Sequence, residues 1–77
     1  MLEKLVEYIV QNLVSKPEAV VITGIEKDGK HVIQIRVAAE DVARVIGSEG
    51  RIFRALRAVV MLIGQQQQKD VVVDIAE

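Results

Sequence analysis

The chain has 77 residues, 51% of them hydrophobic and 27% charged. That is the balance of a globular protein, and the length leaves no room for a two-domain enzyme or for six βα units. The absence of Cys excludes a disulfide framework, a thiol nucleophile and a cysteine zinc site. Ten Lys and Arg against eleven Asp and Glu give a formal net charge of −1, so a nucleic-acid site has to be a local patch. No run reaches the roughly 20 apolar residues of a membrane span. Residues 1–15 mix polar and apolar side chains, unlike a signal peptide. A soluble, cytoplasmic protein without a membrane partner is the expectation.

Leu2, Leu5, Val6, Ile9, Val10, Leu13 and Val14 form one stripe of a 3.6-residue helix. Pro17 stops that helix near Ser15 and Lys16. The β-branched runs 19–25 and 31–37 predict two strands. Between them Asp28-Gly29 is the signal for a type I′ hairpin turn, whose two central residues need positive φ. A two-residue turn there pairs Lys27 with Lys30, Ile22 with Ile35 and Val20 with Val37. Ile33, Ile35 and Val37 then share a buried face with Val20 and Ile22.

A short helix over 39–47 follows, opened by Glu40 and Asp41, whose place at a helix start is explained by capping and the helix dipole. A second helix runs from Arg51 to about Ile63, with Gly64 as its C-cap. Residues 65–70 read as a polar loop and 71–75 as a last strand, with Val71, Val73 and Ile75 on one face. The order is αββααβ. A three-stranded mixed sheet with helices on one face covers every apolar stripe, the third strand reached by a helical crossover that permits parallel pairing. The expected fold is a two-layer α+β single domain over residues 1–77.

The informative segment is Val45-Ile46-Gly47-Ser48-Glu49-Gly50-Arg51. Two glycines three apart stand between two helices, with Ser48 and Glu49 at the tip. The following helix begins at once, so its free N–H groups face the tip and offer a seat for phosphate. From Arg44 to Arg57 four arginines face one acid, Glu49, a local charge of +3. Taken alone, the same features also describe a helix cap, a turn and a solvated face. The loop follows a helix and lacks the Gly-Lys-Ser/Thr ending, so it is not a Walker motif.

In this context, with Val-Ile before it and Arg and an apolar helix after it, the Gly-x-x-Gly loop resembles that of the KH RNA-binding domain, in the type II, bacterial arrangement. The opening 2–10, the segment 45–60 and the terminal 71–75 are similar to the small stand-alone bacterial KH proteins of the KhpA family, and the resemblance covers essentially the whole chain. It implies single-stranded RNA binding with Gly47, Ser48, Glu49 and Gly50 as the clamp on the nucleotide backbone. Arg51 stands near phosphate, and Ile46 and Ile52 line an apolar groove with residues of the second strand. Gln67, Gln68 and Lys69 fall in the variable loop on the far rim. It further implies an RNA chaperone or post-transcriptional regulator linked to cell shape and envelope homeostasis, working with a larger KH-domain protein.

The chain departs from the family at the tip, where Ser48 replaces the usual lysine and Glu49 adds an anion. Arg44, Arg51 and Arg54 compensate in part. Weak, salt-sensitive RNA binding of low sequence specificity is therefore expected. One Phe and one Tyr leave almost no stacking platform. Phe53 reads as core and Tyr8 as packing. The single histidine, His31, reads as a surface residue, and no Ser–His–acid set or metal-ligand cluster converges. No enzyme activity or cofactor is expected. The rival reading is a protein-interaction module. Met61 and Leu62 lie outside the main stripe of their helix and, with the first helix, offer a surface for a homodimer or heterodimer.

Overall fold

The computed structural model describes residues 2–76. Helix α1, Leu2–Gln11, buries Leu2, Val6 and Val10, one residue per turn. It ends three residues before the apolar stripe does, at Gln11 rather than Val14. The N–H groups of Asn12 and Leu13 close it on Ile9 and Val10 by tight three-residue bonds. Those of Ser15 and Lys16 are then taken by a distant carboxylate, that of Asp41. Pro17 opens a separate 3-10 turn over Pro17–Ala19.

Strands β1, Val21–Lys27, and β2, Lys30–Arg36, form the hairpin in the expected register, Lys27 opposite Lys30 and Ile22 opposite Ile35. Asp28 and Gly29 both have positive φ, 54° and 77°. Val20 and Val37 lie one residue beyond the ladder rather than in it. Strand β3, Val71–Ile75, pairs with β2 in parallel, Ile33 opposite Val73, giving a sheet ordered β1-β2-β3.

The crossover carries a 3-10 turn over Ala39–Asp41, helix α2, Val42–Ile46, and helix α3, Arg51–Gln66. One core joins Leu2, Val6 and Val10 to Ile33, Ile35, Val71 and Val73 of the sheet and to Val45, Leu56 and Val60 of the helices. Each such aliphatic side chain contributes about 1.5–3 kcal/mol on burial. The fold is the expected two-layer α+β arrangement, with the opposite sheet face, Val21 and Ile25 included, left open.

Gly64 is not the cap of α3. The helix continues to Gln66, and the cap is a Schellman motif: Lys69 N–H donates to the Gly64 carbonyl (2.8 Å) and Gln68 N–H to that of Gln65 (3.0 Å). The left-handed position is Gln68, at φ 59°. Gly64 is buried inside the last turns, where a Cβ would stand 2.7 Å from Val71 Cγ2 and 3.1 Å from the Lys69 carbonyl oxygen.

Candidate functional site

The loop between α2 and α3 is built by its glycines. Gly47 has φ 78° and ψ 175°, a region open essentially to glycine alone. A Cβ there would also lie 2.6–2.9 Å from the Ile52 side chain. Gly50, at φ 74°, faces open space. Between them Ser48 is exposed, and Glu49 takes the left-handed conformation at φ 56°. Gly50 is the N-cap residue of α3 and has no side chain to cap the first turn, whose leading N–H, that of Arg51, donates to the Ser48 carbonyl.

The arginines divide into different tasks. Arg54 donates through Nη2 to the main-chain carbonyl of Glu49 (2.9 Å), which braces the left-handed tip. Arg51 Nη2 lies 3.7 Å from Glu49 Oε2, both groups well exposed, a contact of small energy in water. Arg57 sits over the Phe53 ring, 5.8 Å from its centroid. Arg44 Nε is 3.4 Å from Oδ1 of Asp41.

Asp41 is fully buried and does not cap its helix. Its Oδ1 accepts from Ser15 N–H (3.0 Å) and Ser15 Oγ–H (2.8 Å), and its Oδ2 from Lys16 N–H (3.1 Å). The Ser15 N–H bond is the largest influence holding its carboxyl below the usual range, against desolvation, with the Ser15 hydroxyl, Lys16 N–H and Arg44 adding to it. The capping role expected for it is thus replaced by a tertiary one, and Glu40 pairs with Lys16 at 3.2 Å. Sequence spacing gives only the Asp41–Arg44 step of three. The link to Ser15, 26 residues away, needs the fold.

Ile52 lines an apolar groove of about 370 Å³, together with Arg51, Ala55, Leu56 and Val59 of α3, Ile9 of α1 and Leu13 just after it. No β2 residue lines this groove, because Leu56 and Val60 hold α3 to the sheet and turn Ile52 toward α1. A second depression, of about 480 Å³, does use the end of β2, through Arg36 and Val37, with Ala39, Val42 and Ala76, but neither Ile46 nor Ile52. Ile46 is half-buried at the end of α2. Ile52 and the end of the second strand thus line different depressions, and Ile46 lines neither. Gln67, Gln68 and Lys69 do not join the loop. The 16 residues of α3 separate them, about 24 Å at the helical rise.

Tyr8 is 67% exposed rather than packed, whereas Phe53 packs against the core. His31 is largely covered, with Nδ1 3.1 Å from Glu26 and Nε2 3.2 Å from Glu3. The carboxyl of Glu3 is held below its usual range, chiefly by its own backbone N–H, against desolvation and aided by His31. Gly24 makes room for that pair, since a Cβ there would meet Glu3 Oε2 and the His31 ring. Among the described residues no group of three or more His, Cys, Asp or Glu is placed to hold a metal ion, and no helix is long and apolar enough to cross a membrane.

Comparison with known proteins agrees with this architecture. Residues 3–75 match the family model described as KhpA/KhpB, KH domain. The RNA-binding protein KhpA of Listeria monocytogenes (serovar 1/2a, strain EGD-e) is 41% identical over 76 residues, covering 99% of this chain and all of that protein. That of Aquifex aeolicus is 40% identical over 99% of this chain and 96% of its own length. That of Treponema pallidum is 47% identical over 78% of this chain and 75% of its own. These relatives are named as binders, not enzymes, and the chain belongs to the KhpA/KhpB family of KH domains.

Proposed function

We propose that this chain is a single KH domain that binds single-stranded RNA, seating a phosphate on the Gly47–Gly50 loop at the N-terminus of α3. The observation that supports this most is the loop itself. Two glycines in conformations that side chains resist bring bare backbone to the N-terminus of a 16-residue helix, with Arg44, Arg51 and Arg54 around it. Ser48 supplies a neutral donor where the family has a lysine, and Glu49 an opposing charge, so binding is weak and salt-sensitive. On this reading the chain acts in the cytoplasm as an RNA chaperone or post-transcriptional regulator, in the cell-shape, cell-wall and envelope processes the family resemblance implies. Relatives named as RNA-binding proteins support the RNA binding on which that reading depends.

A specific observation favours an added protein-binding role. The α1–α3 groove is almost wholly apolar, and Ile52 and Val59 in its lining and Leu62 along α3 are all more than a third exposed. That surface suits a larger KH-domain partner or a second copy of the chain.

The test is an anisotropy titration with a short single-stranded RNA at about 50 and 200 mM salt, with light scattering on the same sample. Three phosphate contacts predict a salt slope near −2, so roughly fifteenfold weaker binding at the higher salt. Arg51→Gln removes about one unit of slope. Gly50→Asp is the clean loop variant, because Gly50 faces open space and Asp tolerates left-handed backbone. Adding Gly47→Asp would collide with Ile52 and confuse misfolding with lost binding. Failure to bind at low salt, or binding that Gly50→Asp leaves intact, overturns the RNA reading.

A further inference from the structure

Ile52 stands in the first turn of α3 and is 38% exposed. It does not belong to the core that Leu56 and Val60 anchor. Its Cβ, Cγ1 and Cδ1 instead fill the place a side chain at Gly47 would take, 2.6–2.9 Å from the position of a Cβ there. An exposed isoleucine outside the core is thus packed against the corner of the loop.

That corner needs an outside support. Glycine has no Cβ, so the backbone of Gly47 favours no single conformation by itself. Two backbone bonds constrain it from within its own segment: Gly47 N–H donates to the Ala43 carbonyl (2.9 Å) and Gly50 N–H to the Gly47 carbonyl (3.1 Å). Two side chains reach back from α3. Arg54 grips the tip through the Glu49 carbonyl, and Ile52 packs on Gly47. Isoleucine is branched at Cβ and stiff about χ1, so on a helical backbone it is a fixed stop.

We propose that Ile52 is a positioning residue for RNA binding: packed on Gly47, it holds the Gly47–Gly50 loop in the conformation that seats a phosphate, without itself touching the RNA. This rests on the RNA reading above.

The test joins affinity to loop dynamics. Ile52→Ala removes Cγ1 and Cδ1 but gains helix propensity at an exposed site, so the domain stays folded, as circular dichroism checks. RNA affinity is expected to fall about three- to fivefold, because only a fraction of the loops is competent at any moment. The salt slope stays the same, because no phosphate contact is removed. Hydrogen exchange at the Gly50 amide, which closes the loop on Gly47, quickens in the RNA-free protein. Ile52→Val keeps Cβ and Cγ1 and restores affinity to within about twofold of the unaltered chain. Ile25→Ala is the same truncation at a side chain 37% exposed on the open sheet face, and it alters neither affinity nor Gly50 exchange. Weaker binding by Ile52→Ala with Gly50 exchange unchanged would mean that Ile52 touches RNA directly. A salt slope lowered by about one unit would mean a lost phosphate contact. Unchanged affinity, or an equal loss in Ile25→Ala, would leave Ile52 a role in stability alone. Each of these overturns the proposal while the RNA reading stands. No RNA binding by the unaltered chain overturns both.

Discussion

The two ends of α3 both depend on glycine and on left-handed backbone, and they distribute them in opposite ways. At the N-terminal end Gly47 and Gly50 themselves carry positive φ, and the chain turns there because those positions are glycine. At the C-terminal end Gly64 is an ordinary helical residue that is needed for room, and the left-handed position is a glutamine, Gln68. One end uses the conformational freedom of glycine to expose backbone. The other uses its missing Cβ to bring β3 against the helix. On the function proposed above, the first arrangement serves binding; the second serves packing.

The largest expected effect separates the two loop glycines. Gly47→Ala combines a φ and ψ that alanine resists with a collision against Ile52 Cβ and Cγ1, for a loss of about 3 kcal/mol. Gly50→Ala meets open space and costs only the left-handed penalty, about 1 kcal/mol. Urea unfolding of both variants checks this, and equal midpoints would mean that Gly47 is not the rigid corner of the loop.

Gly64→Ala comes next. Alanine gains about 1 kcal/mol of helix propensity over glycine, but its Cβ would be pressed against Val71 Cγ2 and a backbone carbonyl that moves only with the chain. Overpacking of this kind costs about 1–3 kcal/mol. A net loss of about 1 kcal/mol is expected, or roughly 4–8 °C in Tm, with RNA affinity unchanged. A more stable Gly64→Ala would show that β3 yields and that the contact is not a constraint.

These distinctions mark where the sequence stops being informative. The hairpin register was legible because Asp28-Gly29 sets the turn and alternation sets the faces, and the β3 limits because a polar run ends abruptly at Val71. Periodicity also found the buried residues of α1 and α3. What it could not show is how a fully apolar stripe divides. Leu5, Ile9 and Leu13 belong to the same stripe as Val6 and Val10, yet they face the groove or solvent while the valines are sealed in the core. The loop glycines were legible from local context. Gly64 was not, because a glycine at a helix end reads as a cap unless the neighbouring strand is known. Asp41 reads as a local helix-start residue, because the donors it binds lie 25 and 26 residues away.

Acid should loosen the start of α2 before the C-terminal end of α3. The folded Asp41 carboxyl is depressed by its bonds to Ser15 and Lys16, against about 3.9 in an unfolded chain. Its stabilising contribution is therefore fully present above that value and is lost as pH falls through the lower, folded one. The Schellman cap at the other end is made of backbone groups that do not titrate. On acidification below about pH 4, amide protection should fall first at Ser15, Lys16 and α2, and last at Gln68 and Lys69. Asp41→Asn should abolish the difference. Simultaneous loss at both places would mean that the whole domain, not the Asp41 contacts with Ser15 and Lys16, responds to acid.

The smallest effect is the most direct comparison, because the same change can be made at both ends. Gln68 at φ 59° and Glu49 at φ 56° are the two left-handed residues without glycine beside α3. Replacing a side chain there by glycine relieves about 1 kcal/mol of steric cost, partly offset by the greater entropy of glycine in the unfolded chain. Gln68→Gly should gain about 0.5 kcal/mol and leave RNA binding alone, since the Schellman bonds are made by backbone. Glu49→Gly relieves the same backbone strain and keeps the carbonyl that Arg54 grips, but it also frees Arg51 from its carboxylate. Its signature is therefore a similar small gain in stability together with tighter, more salt-sensitive RNA binding. If both variants changed stability alone, the tip of the loop would be a turn like any other, and its strained residue would have no part in binding.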